Sequence, residues 1–208
     1  MLQNKLLIIN ASLGGKNGNS FKLFEPALKI FKKNNPKTKV TILHFAENKK
    51  QFQSLSFWKK ILQEHHAYFV LSGTYWDSWS SHLQNFLELT TPLECDPCFF
   101  GKPIGALISM HSVGGKEVLS RLLGVFSTQG YLIAPQTSLV ISLASEMALE
   151  LEKKSQLKNF SDDFWSKDEI PDILERLMSY AACRPKNIKP WAVDKKDPRR
   201  VWAKLLNE

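Results

Sequence analysis

Cysteine is scarce in this chain, and no apolar run approaches membrane length. Three of 208 residues are cysteine. Disulfides therefore cannot be its framework, and such usage fits a reducing cytosol. The longest apolar runs, Leu6–Ile9, Ala67–Leu71 and Ile104–Met110, fall far below the roughly 18 residues of a membrane span. The first residues read as neither a signal peptide nor a transit sequence. No Gly-Lys-[Ser/Thr] closes a Walker A loop, and no Gly-x-Gly-x-x-Gly marks a dinucleotide fingerprint. A Gly-x-Ser-x-Gly elbow is absent too, which argues against a hydrolase.

What is there belongs to a globular domain. The chain is 43% hydrophobic and 11% aromatic, which excludes disorder. At this length it can bury roughly two-thirds of its unfolded surface. The net charge is +8, and it is uneven. Residues 184–208 hold eight basic and three acidic side chains. We expect a domain over residues 1–183 and a basic C-terminal tail over 184–208. That tail, with Trp191 and Trp202, reads as a solvated arm packing on the body or on a second subunit. The alternative is a nucleic-acid or acidic-surface binder.

Apolar runs alternate with amphipathic segments. Strands are expected at Lys5–Asn10, Lys39–Phe45, Ala67–Ser72, Ile104–Met110 and Tyr131–Ser142. Helices are expected at Ser20–Lys33, Phe52–Glu64, Ser80–Thr90, Lys116–Thr128 and Asp168–Ala181. This order makes an α/β protein, a five-stranded parallel sheet with helices on both faces. Such sheets bind ligands beyond the C-terminal strand ends. The segments to inspect are Ala11–Ser20, Ser72–Ser80 and Ser109–Gly115.

The first is glycine-rich and runs from a strand into a helix. Its backbone N–H groups, the hydroxyls of Ser12 and Ser20 and the amide of Asn19 suit a phosphate. It also suits an ordinary turn with Asn19 or Ser20 as N-cap. The second, Ser72-Gly73-Thr74-Tyr75-Trp76-Asp77-Ser78-Trp79-Ser80, places three aromatics in a polar loop. Flat rings beside backbone groups suit a planar heterocycle; otherwise Trp76 and Trp79 cap the core or line a subunit contact. In the third, N–H groups before a helix are positioned for a second edge of the same ring. His111 there is a candidate, or a structural imidazole. His65 and His66 read as structural.

Cys95-Asp96-Pro97-Cys98 is a CxxC pair. With only Cys183 elsewhere, it cannot build a four-cysteine cluster. It reads as two free thiols on a loop, or as a redox pair without the usual helix N-terminal setting.

The three loops, in this order on this strand pattern, resemble the flavodoxin-like NAD(P)H-dependent FMN reductase family over roughly residues 5–145. Ala11-Ser12 and Asn19-Ser20 stand where the family has Gly-Ser and Asn-Thr/Ser. Ser72-Gly73-Thr74-Tyr75 stands at its Thr/Ser-Pro-x-Tyr, and Leu83-Gln84-Asn85 at its Leu-Lys-Asn. The Gly101-Lys102-Pro103 turn and the Gly114-Gly115 helix start also match. Three departures stand out. Gly73 replaces a proline and Gln84 a common lysine. Gly14 stands where many members carry arginine, with Lys16 as the compensating cation.

The resemblance implies a three-layer flavodoxin-like sandwich that binds FMN. It implies that Ser12, Lys16, Gly18, Asn19 and Ser20 hold the 5′-phosphate. Gly73, Thr74, Tyr75, Trp76 and Asp77 would run along the isoalloxazine edge, with His111 nearby. Gly114 and Gly115 amides would stabilise the reduced ring. Trp76 and Trp79 would wall the pocket shared by NADPH or NADH and a small electron acceptor such as a quinone, flavin or azo compound. The redox chemistry would belong to the flavin, so no catalytic side chain and no metal is expected. A cytoplasmic homodimer or homotetramer is expected, with neither membrane nor nucleic acid as partner. Two other readings stay open: a flavodoxin-like electron carrier, and a non-enzymatic module using the basic tail.

Overall fold

The computed structural model describes residues 4–155, 167–183 and 188–190. Apart from 188–190, the basic tail lies outside them. The central strands are apolar on both sides because helices cover both of their faces, while the edge strands are only partly buried. Strand β1 is Lys5–Asn10, β2 Lys39–His44, β3 Ala67–Gly73 and β4 Pro103–Met110. They pair in parallel in the order β2-β1-β3-β4. Ile8 lies opposite Phe69 and Val70 opposite Ala106.

Beyond β4 the edge differs from expectation. The single strand predicted over Tyr131–Ser142 is two pieces, β5 Leu132–Ile133 and β6 Leu139–Ser142, each paired with β4. Pro135 between them has no N–H to give a ladder, and Gln136 is left-handed at φ 55°. The excursion is pinned: Ser138 Oγ accepts from Ala106 N at 3.0 Å, and Thr137 Oγ1 donates to Ala134 O at 2.7 Å. Gly105 permits it, since any side chain there would collide with the Thr137 carbonyl. The strand order is the 2-1-3-4-5 of flavodoxin-like sheets, with its edge strand interrupted.

Helices α1 (Asn19–Asn34), α2 (Leu55–Glu64), α3 (Ser81–Thr90) and α4 (Gly115–Gln129) fall near their predicted positions. The helix expected from Phe52 is a 3-10 turn at Lys50–Gln53 and then α2, because Ser54 caps α2 through Phe57 N. Helix α5 (Leu143–Ser155) was not expected. It follows β6 with no intervening residue. Helix α6 is Ile170–Ala182.

Alternate strand residues serve two cores. Leu7, Ile9, Tyr68, Val70, Ala106 and Ile108 meet α2, α3 and α4 on one face. Leu6, Ile8, Phe69, Leu71 and Leu107 meet α1 and α6 on the other. Trp58 anchors the first, with its ring stacked 5.4 Å from Phe45 and its Nε1 donating to Phe52 O at 2.9 Å. Burying such a ring contributes about 2–3 kcal/mol.

The turn before β4 has a clear task. Lys102 is buried, and its ammonium donates to the carbonyls of Leu62, Gln63 and His65 at 2.8, 3.1 and 2.6 Å. These carbonyls lie in the last turn of α2 and at its C-cap, where Leu62 O also accepts from the Tyr68 hydroxyl at 2.6 Å, so the cation helps cap a helix from 40 residues away. His65 donates from Nδ1 to Ile61 O at 2.7 Å, and its Nε2 lies 2.8 Å from Thr41 Oγ1. Its neighbour His66 accepts Lys5 N–H at 3.1 Å. Both histidines are structural.

Candidate functional site

The parallel register brings the ends of β1, β3 and β4 level, so their loops meet. Three hydrogen bonds tie them. Ser80 Oγ donates to Ala11 O at 2.5 Å, Thr74 N donates to Ser109 O at 2.8 Å, and Ser20 Oγ lies 2.7 Å from Ser109 Oγ. Ser80 also caps α3 through Leu83 N, and Ser72 Oγ accepts Ser80 N–H. One small patch of serines thus fixes the relative positions of all three loops.

The β1–α1 loop folds over a residue the sequence reading did not single out. Asn10, fully buried, ends an otherwise apolar strand. Its Oδ1 accepts Ser12 N–H at 3.2 Å and the Ser12 hydroxyl at 2.7 Å. Its Nδ2 donates to Gly15 O at 3.0 Å and lies 2.8 Å from His44 Nδ1. The available signal was the polar end of a buried strand, because a buried carboxamide must find partners. Glycine is required at Gly15, where φ is +55° and an added carbon would meet Ala46.

The phosphate donors expected here divide into two groups. Ser12 is buried with its hydroxyl committed to Asn10, and Ser20 is buried with its hydroxyl on Ser109. Gly18 N–H is bonded to Gly15 O. Lys16 is exposed and lies 3.0 Å from Glu47 Oε1; with Lys49 at 2.6 Å, these cations pull the Glu47 carboxyl down to about 2. Asn19 is exposed. Among the described residues no side chain caps α1. The first-turn N–H groups of Asn19 and Ser20 accordingly have no acceptor inside the helix.

The β3–α3 segment is a two-residue hairpin. Tyr75 N donates to Ser78 O at 2.8 Å and Ser78 N to Tyr75 O at 3.0 Å. Trp76 and Asp77 both adopt positive φ, 48° and 55°. That is a type I′ turn, which ordinarily takes Asn-Gly. A bulky residue there is an outlier. The Trp76 indole stands wholly in solvent. Tyr75 folds back over Gly73: a side chain there would meet its ring at 3.0 Å. With glycine at 73, the tyrosine ring packs directly against the backbone there.

Asp77 presses its carboxylate toward the third loop. An added carbon at Gly114 would lie 2.5 Å from Asp77 Oδ1, and Gly114 itself has φ +87°. Arg121 on α4 donates to the Asp77 carbonyl and lies over the Trp79 ring at 5.9 Å. Trp79 donates from Nε1 to Gln84 Oε1 at 2.8 Å. It lines a groove of about 620 Å³ between α3 and α4, with Leu87, Arg121 and Val125. Trp76 is not among the residues that line this groove.

In the third loop, Gly114 precedes α4 with no side-chain cap. Gly115 N–H points at Met110 Sδ, 3.1 Å away, and is already engaged. His111 is exposed, and its carbonyl accepts from Ala144 N. Cys95 and Cys98 are buried and in no disulfide. Burial, then Asp96, pushes Cys98 up to about 12, the opposite of a reactive thiolate. Among the described residues no group of side chains could hold a metal ion, and no helix is long and apolar enough to cross a membrane.

The family model described as NADPH-dependent FMN reductase matches residues 4–146. The chain belongs to that family, and it is an oxidoreductase of flavodoxin-like fold. Its cofactor is FMN and its reductant a nicotinamide nucleotide. Among solved structures it is similar to RosB with bound 8-demethyl-8-formylriboflavin-5′-phosphate (12% identity, 94% and 93% of the two chains, TM-score 0.64). It is similar to an NADH:FMN oxidoreductase in its apo form (15% identity, 95% and 98%, TM-score 0.57). It is also similar to general stress protein 14 of Treponema denticola in complex with FMN (14% identity, 85% and 99%, TM-score 0.54). At such identities these likenesses show the fold. No curated protein matches the chain.

The residues present fit that cofactor. Thr74 Oγ1 is buried at the sheet end without a partner among the described residues, and such a hydroxyl calls for one. The uncapped start of α1 offers N–H groups and a positive field, as a phosphate needs.

Proposed function

We propose that the chain holds FMN across the ends of β1, β3 and β4 and serves as an NAD(P)H-dependent reductase of small acceptors such as quinones, flavins or azo compounds. The observation that carries this reading is the serine-tied convergence of the three loops, with an orphaned Thr74 hydroxyl among them. When bound, FMN supplies the passage of a hydride from nicotinamide to acceptor. The protein supplies position and electrostatics.

The phosphate site is chiefly backbone. The amides of Asn19 and Ser20, with the Asn19 side chain, face the phosphate, and Lys16 adds charge from the rim. Ser12 and Ser20 hydroxyls shape the loop from inside. Gly73, Thr74, Tyr75, Trp76 and Asp77 border the ring, and Thr74 Oγ1 supplies a hydrogen bond to it. The Gly114 amide faces the other edge; Gly115 supports it by closing onto Met110, and His111 marks the outer rim. Trp76 offers a stacking surface for nicotinamide and acceptor. The assembly is a cytoplasmic homodimer or homotetramer.

The purified protein should be yellow, with FMN near one per chain, and should oxidise NADPH or NADH when an acceptor is added. A colourless protein that takes up no added FMN overturns the reading. Fast reduction by a partner reductase with negligible NAD(P)H oxidation would make it an electron carrier instead. Replacing Asn19 by Glu is the cleanest local test. Its side chain is exposed, so the fold should survive while a carboxylate meets the phosphate and FMN affinity falls at least about tenfold.

A further inference from the structure

We propose that Asn10 is the positioning residue of the phosphate loop, and that it acts only while His44 is neutral. This rests on the FMN reading above. The orientation of the Asn10 carboxamide is fixed by two backbone groups whose roles cannot change. Ser12 N–H can only donate, so the atom 3.2 Å from it is Oδ1. Gly15 O can only accept, so the atom 3.0 Å from it is Nδ2. The same Nδ2 therefore donates its second hydrogen to His44 Nδ1, 2.8 Å away. His44 must accept there, which makes it a neutral imidazole with its proton on Nε2.

All of this carboxamide's bonds serve one end. It holds both limbs of the loop, at Ser12 and Gly15, immediately before the uncapped turn of α1. Protonation of His44 would place an N–H against the Asn10 N–H and cost the loop its anchor. Other groups facing the imidazole come from three elements. Phe21 of α1 meets it edge-on, with centroids 4.8 Å apart. Lys16 of the loop and Lys49 beyond β2 disfavour its charge, while Glu47 favours it. Burial is the largest influence, Lys16 the next, and His44 is held below its usual range. The unfolded chain therefore takes up this proton first. The stabilising contribution is complete above the unperturbed value of about 6.5 and is lost as pH falls below it.

The test compares FMN with riboflavin, which lacks the phosphate, by flavin fluorescence quenching. Wild-type protein should bind FMN more tightly. Asn10→Ala should weaken FMN by about tenfold and leave riboflavin within about twofold. Equal loss of both ligands, or of neither, overturns the role of Asn10. His44→Gln keeps an acceptor for Asn10 and cannot titrate. It should hold FMN normally at neutral pH and lose less affinity than wild type between about pH 7 and 5. The phosphate, with its own pKa near 6, contributes the remaining slope in both proteins. Identical acid profiles overturn the dependence on neutral His44. Without flavin, imidazole nitrogen chemical shifts should report Nδ1 as an acceptor in wild type; a protonated Nδ1 at neutral pH overturns the geometry. Wild-type protein that binds neither flavin, while its imidazole shifts are as expected, overturns the functional reading and not the contact.

Discussion

In the β1–α1 loop the buried side chains of Asn10, Ser12 and Ser20 all have hydrogen-bond partners. The β3–α3 turn instead holds Trp76 and Asp77 in left-handed backbone and leaves an indole in open solvent. The first loop is pre-organised, and the polar groups of Asn10, Ser12 and Ser20 turn inward. It leaves backbone amides and exposed rim side chains, Lys16 and Asn19 among them, to a ligand. That suits an invariant group such as a phosphate, for which rigid donors avoid reorganisation. The second loop stores strain and displays area. Strain of this kind persists only where its surroundings enforce it. Here Arg121 holds the Asp77 carbonyl from α4, and Gly114 makes room for its carboxylate. In our reading one loop binds the constant part of the cofactor, and the other meets variable substrates.

The sharpest way to break the contrast is Gly114→Ala. The new methyl would meet Asp77 Oδ1 at 2.5 Å on a backbone at φ +87°. Left-handed strain of about 1 kcal/mol adds to the displacement of the carboxylate. A total of about 2–3 kcal/mol should lower the melting temperature by roughly 5–10 °C. FMN affinity should fall as well. A melting temperature unchanged within error would mean that the turn is not buttressed by Gly114.

The opposite change should relieve the strain. Asparagine adopts left-handed backbone easily, and Trp76→Asn keeps the hairpin. It should stabilise the protein by about 1 kcal/mol and retain FMN, while kcat/KM for aromatic acceptors falls. This is the exchange of stability for activity expected at a functional turn. Thermal denaturation and steady-state kinetics on one preparation test both halves. A variant less stable than wild type would show that the indole serves the fold.

The same contrast explains what the sequence disclosed. Apolar runs and 3.6-residue spacing located β1 to β4 and the helices around them, because burial on both faces writes itself into composition. Helix α5 left no such mark: Met147 and Leu151 are exposed, and no glycine or proline separates it from β6. The break at Pro135 was visible as a residue, but its consequence depends on Gly105 in another strand. At the site, three loops were legible as loops. The inward turn of Ser20 was not, since its partner Ser109 is 89 residues away. Trp76 and Trp79 read as a pair because only two residues separate them in one polar loop, yet Trp79 lines the groove between α3 and α4 while the Trp76 indole stands in solvent.

The smallest expected effect bears on Lys16, the cation that the resemblance sets against the missing arginine at Gly14. Its ammonium sits 3.0 Å from Glu47, and that carboxylate also holds Lys49 at 2.6 Å. Lys49 can satisfy Glu47 alone, so Lys16 is free to turn to a phosphate at little cost. Exposed ion pairs hold their partners weakly. Lys16→Gln should therefore weaken FMN by only about two- to threefold, and by less as salt rises. Glu47→Gln should strengthen FMN slightly, because it releases Lys16 and removes a negative charge from the rim. If both substitutions leave FMN affinity and its salt dependence unchanged, the phosphate is held without this cation, by the start of α1 and the loop that Asn10 shapes.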